Sequence, residues 1–125
     1  MRSNPGMEAA QPLASPLGRI TISNDAVAQV VGHTAAECYG IVGMASKRRG
    51  ARRRQREKPT QGVSVRGDAE TGISIDLYIV VEYGLNLAEV AATVRSRVAY
   101  EVERLTGLPV RALEVHIQDV RRSEQ

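Results

Sequence analysis

The residue types best equipped for chemistry in this chain are eight bases crowded between positions 47 and 58: Lys47, Arg48, Arg49, Arg52, Arg53, Arg54, Arg56 and Lys58. One acid, Glu57, stands among them, so the window carries +7, while the other nine basic and thirteen acidic residues of the chain sum to −4. A cluster of this kind attracts polyanions. Anionic lipid headgroups reward it by ~1 kcal/mol per base near the surface, and phosphate backbones bind it without sequence preference. The alternative is a solvated, self-repelling loop with no partner. No aromatic residue interleaves the arginines, so base stacking is not indicated.

The remaining candidates are isolated. His33 and Glu37 are four apart on a predicted helix and can share a face, but no third ligand accompanies them, so they read as a surface pair. His116 alternates outward on a predicted strand and reads as a solvated imidazole. Cys38 falls on an apolar helical stripe and reads as a small core residue rather than a nucleophile. Asp76 and Glu82 point to an outer sheet face, and Asp68 and Glu70 occupy a turn, with no positioned base beside any of them. The glycines form no phosphate-binding loop. The expectation is of no catalytic residue, no metal site and no cofactor.

These side chains need elements to hold them. Ile20 and Ile22 alternate with polar residues, which predicts a short strand. Ser23 and Asn24 offer an N-cap, Asp25 complements the helix dipole, and Val27, Val30, Val31, Thr34 and Cys38 make one helical face that stops at Gly40. The run Ile41-Val42-Gly43-Met44 reads as an apolar exit under the core. Val63 and Val65 mark a second strand, and a turn over 68–72 leads into a third. In that third strand Ile73, Ile75, Leu77, Ile79 and Val81 share one face, and Ser74, Asp76, Tyr78, Val80 and Glu82 the other. One face is wholly apolar and the other mixed, which places helices on one side only. Tyr78 and Val80 are apolar residues on that mixed face and form a candidate self-association patch. A second helix runs from the Asn86 cap, with Glu89 three residues on, to Gly107 and Pro109. Its stripe is Leu87, Val90, Ala91, Val94, Val98, Val102 and Leu105. A last strand turns Leu113, Val115 and Ile117 inward.

The predicted fold is α+β, a two-layer βαββαβ domain with two helices packed on one face of the sheet. Residues 1–17 read as a disordered arm, 18–120 as the single domain with a basic flexible loop at 45–61, and 121–125 as a tail. The 125 residues and 42% hydrophobic content suit one ordinary core, here without Phe or Trp. A single cysteine excludes an intramolecular disulfide and suits a reducing compartment. No apolar run approaches the ~20 residues of a membrane span, and 1–15 lack the apolar centre of a secretory signal.

Two blocks resemble a known family. The stretch 75–120, with the Val81-Glu82-Tyr83-Gly84 turn before Asn86 and the Leu105-Thr106-Gly107-Leu108 helix exit, looks like the C-terminal half of the alkaline shock, or envelope stress response, protein family. Residues 18–45, with the exit Gly40-Ile41-Val42-Gly43-Met44, look like its N-terminal half. The resemblance implies a non-enzymatic bacterial protein of cell-envelope homeostasis, cytoplasmic and self-associating. It also implies a small membrane-anchor protein as partner, at the inner face of the cell membrane. The basic window departs from that pattern and adds anionic lipid as a direct partner. A small nucleic-acid-binding module using the same bases is the alternative.

Overall fold

The computed structural model describes residues 20–45 and 60–122. In chain order the elements are α1 (Asn24–Ala36), β1 (Ile41–Met44), β2 (Val63–Asp68), β3 (Gly72–Glu82), α2 (Leu87–Thr106) and β4 (Val110–Arg121). Local chemistry explains both helix starts. The Ser23 hydroxyl accepts from the Ala26 N–H at 3.0 Å, and the Asn86 side chain accepts from the Glu89 N–H at 3.0 Å. α2 ends where Gly107 adopts the left-handed conformation and its N–H returns to the Glu103 carbonyl.

β3 is the centre of the sheet. β4 lies parallel to it along its whole length, from Ile73 opposite Val110 to Glu82 opposite Arg121. A strand has two edges, so β1 and β2, both antiparallel to β3, must share the other one. They lie end to end in continuous register. Met44 faces Ile79 and Val63 faces Leu77, which leaves Tyr78 between them. The Ala45 N–H donates to the Tyr78 carbonyl and the Tyr78 N–H donates to the Gly62 carbonyl, each at 2.8 Å. Ala45 and Gly62 therefore share the place of one residue, and β1 and β2 are two halves of a single edge strand, parted by the residues between them.

The alternation of β3 sends Ile73, Ile75, Leu77, Ile79 and Val81 into the core. Above them lie Val90, Val94, Val98 and Val102, spaced by four along α2, and Val27, Val31 and Ala35 of α1. Both helices cover this one face, and the domain is the α+β, two-layer arrangement expected. A buried Val or Leu contributes about 1.5–3 kcal/mol by leaving water, so these stripes carry the fold without aromatic residues.

Three expected elements differ. Ile20–Ile22 is not a strand: Ile20 is 59% exposed and Ile22 packs against the core from irregular backbone, because each edge of β3 already has its partner. The run at 41–44 is a strand instead of an exit, its weak alternation, broken by Gly43 and a bulge between Ile41 and Gly43, being overridden by pairing with β3. The order among the described residues is thus α-β-β-β-α-β rather than β-α-β-β-α-β. In α2, Leu87 and Leu105 sit at the helix ends and are exposed, so the buried stripe is narrower than expected. The expected N-terminal arm at 1–17 lies outside the described residues.

Candidate functional site

The sheet face away from the helices carries the polar half of β3. Asp76, Tyr78, Glu114 and His116 meet there because β3 and β4 are parallel and in register: Asp76 opposite Glu114, Tyr78 opposite His116. The His116 Nε2 lies 3.0 Å from Asp76 Oδ1 and 4.0 Å from Glu114 Oε1. Its ring stacks on Tyr78 with centroids 4.5 Å apart and an interplanar angle of 11°. The other oxygen of Asp76 accepts from Arg66 of β2 at 3.0 Å. Arg111 of β4 reaches the Ser74 hydroxyl at 3.4 Å. His116 is therefore a fixed member of a polar cluster and not the lone solvated imidazole expected. Asp76 is likewise not isolated.

The neck of the basic segment meets the sheet at the edge of β3, at Tyr78. Tyr78 holds both ends through its backbone, and Gln61 closes the neck by donating to the Met44 carbonyl at 3.0 Å. Gly62 has φ +77°, and a Cβ there would lie 2.5 Å from the Ala45 carbonyl oxygen and 2.8 Å from that of Tyr78. Only glycine lets the chain close at this point. The bases Lys47, Arg48, Arg49, Arg52, Arg53, Arg54, Arg56 and Lys58 themselves lie outside the described residues. Their point of attachment is beside Tyr78.

The other candidates settle into structural roles. Cys38 is 6% exposed, its thiol points to the Thr34 carbonyl at 3.4 Å, and burial pushes its pKa up, with Arg97 pulling more weakly the other way. Glu37 pairs with Arg97 of α2 at 3.8 Å rather than with His33. Asp68 caps the β2–β3 turn by accepting from the backbone N–H and the hydroxyl of Thr71, both at 2.9 Å. Those bonds hold its carboxyl below the usual range. Val80, half of the candidate self-association patch, is only 2% exposed and presents almost no surface; Tyr78 is half-buried under His116. At the far end of β3, Tyr39, Val42 and Tyr83 are exposed, and the Arg122 guanidinium lies 5.0 Å from the centre of the Tyr83 ring. No helix among the described residues is long and apolar enough to cross a membrane.

The family model of alkaline shock protein 23, described as a family with a cell envelope-related function, matches residues 13–122. Uncharacterized protein YloU of Bacillus subtilis (strain 168) is 42% identical over 113 residues, covering 87% of this chain and 93% of that protein. Uncharacterized protein Spy1614 of Streptococcus pyogenes serotype M6 is 36% identical over 108 residues, covering 83% and 88%. Among solved structures, a variant MamM CTD superposes with a TM-score of 0.51 at 17% identity, covering 81% of this chain and 96% of that one, a likeness of fold.

Proposed function

Since the chain belongs to the alkaline shock protein 23 family, with its cell envelope-related function, we propose that it is a non-enzymatic, self-associating scaffold at the cytoplasmic face of the membrane. In this reading the bases of 47–58 form its electrostatic contact with anionic lipid, alongside a small membrane-anchor protein. The observation that carries the reading is the separation of charge: +7 in one window, attached at one strand position, on a chain otherwise at −4. Eight bases at ~1 kcal/mol each are enough for reversible attraction to an anionic surface. Self-association through the open face rests on Tyr78, whose neighbour Val80 adds little.

Flotation with anionic and with neutral vesicles tests the proposal, using the intact protein and a variant with the eight bases replaced by Ser. Flotation of the intact protein alone, with anionic lipid alone, and lost at high salt, is the expected result. Equal flotation of both proteins assigns the contact to another surface. If neither floats and the bases instead bind nucleic acid with a steep salt dependence, the alternative function replaces this one.

A further inference from the structure

We propose that Asp76, Glu114 and His116 form a binding site for a divalent transition-metal ion, with zinc as the best-matched ion. The inference does not depend on the basic segment. The donor atoms of the three residues all lie within 4.8 Å of one another. Two of the separations are given above: 3.0 Å from His116 Nε2 to Asp76 Oδ1, and 4.0 Å to Glu114 Oε1. Ligands at about 2.0–2.2 Å from zinc stand about 3.3–3.6 Å apart at the corners of a tetrahedron. The observed separations bracket that range, so an ion fits between these atoms after small side-chain adjustments. One imidazole and two carboxylates are a donor set that suits zinc or manganese better than calcium or magnesium.

The surroundings resemble an outer shell of ligand support. Arg66 bonds Oδ2 of Asp76, while Oδ1 faces His116 Nε2 at 3.0 Å, so an entering ion replaces the His116–Asp76 hydrogen bond and leaves the Arg66 bond in place. Arg66 is also a positive charge near the ion, and its side chain is 60% exposed, free to move toward solvent. Stacking on Tyr78 fixes the imidazole plane, so the ring need not be ordered on binding. Asp76 is 18% exposed and held from two sides. Glu114 is the mobile ligand, at 69% exposed. Three protein ligands leave the remaining position to water or to a donor from another molecule.

The test is titration of the full-length, chelator-treated protein with zinc chloride by calorimetry, with manganese chloride in parallel. One zinc per chain is expected, together with a rise in melting temperature. His116→Ala and Asp76→Asn each weaken binding by roughly tenfold or more, and Glu114→Gln weakens it less. The chain has one other imidazole, His33, so His33→Ala leaves binding unchanged. Should His116→Ala unfold, cobalt(II) absorption of the wild type against Asp76→Asn reads the same site, with a tetrahedral band lost in the variant. Absence of zinc binding to the wild type overturns the proposal, as does binding that survives in His116→Ala and is lost in His33→Ala. Neither result bears on vesicle flotation.

Discussion

Two residues define how acid and thiol reagents should act on the protein. Thr71 holds the Asp68 carboxyl below its usual range, so the folded-state pKa lies under the unfolded one. Its contribution to stability is complete at neutral pH and is lost as pH falls from the ordinary carboxylate value of about 4 through the folded value. Asp68→Asn keeps an acceptor for Thr71 but removes the titration. Urea midpoints of wild type and variant are therefore expected to differ at neutral pH and to converge in acid. Cys38 is governed by burial: its raised pKa and covered sulfur predict a thiol inert in the native state. A colorimetric thiol reagent should find about no reactive group per chain in native buffer and one in denaturant, and rapid native labelling would contradict the placement of Cys38 in the core.

At the scale of elements, the divided edge strand has the clearest consequence. Residues 46–62 can be removed so that Ala45 joins Val63, restoring a continuous strand opposite Ile79, Tyr78 and Leu77. Ala45 is the better residue to keep, since Gly62 needs a positive φ that no described non-glycine residue adopts. Closing a loop of this length costs roughly 2 kcal/mol of chain entropy, so the shortened protein is expected to melt no lower than the wild type. A fall of many degrees would mean that the segment is part of the folded structure. In contrast, Leu77→Ala on β3 removes a fully buried side chain and should cost about 2–5 kcal/mol, read as a lower urea midpoint.

For the whole molecule, charge and core are separable. Among the described residues the buried cluster is drawn from α1, the sheet, α2 and the turns beside them. Replacing all eight bases with Ser takes the formal charge from +3 to −5. Far-UV circular dichroism and melting temperature should nevertheless stay close to wild type, while vesicle binding changes. A cooperative loss of structure on neutralisation would refute the independence of the two. The candidate site was only half legible in the linear chain. The bases announced themselves by composition, but Asp76 and His116 stand forty residues apart. Only the parallel register of β3 with β4, set by the intervening helix, brings them into contact.

From the sequence by itself come the period-two alternation of β3, the four-residue spacing of the α2 valines, the Asn86 and Gly107 caps, the charge asymmetry and the family. Each of these depends on neighbours within a few positions, where backbone geometry dictates which side chains share a face. The tertiary structure alone decided that 41–44 is a strand and 20–22 is not, that the basic segment interrupts a single edge strand, and that a histidine and two carboxylates converge on the open face. These outcomes turn on which backbone groups find partners across the sheet. That competition is settled between segments distant in sequence, so a pattern read along one of them carries no trace of it.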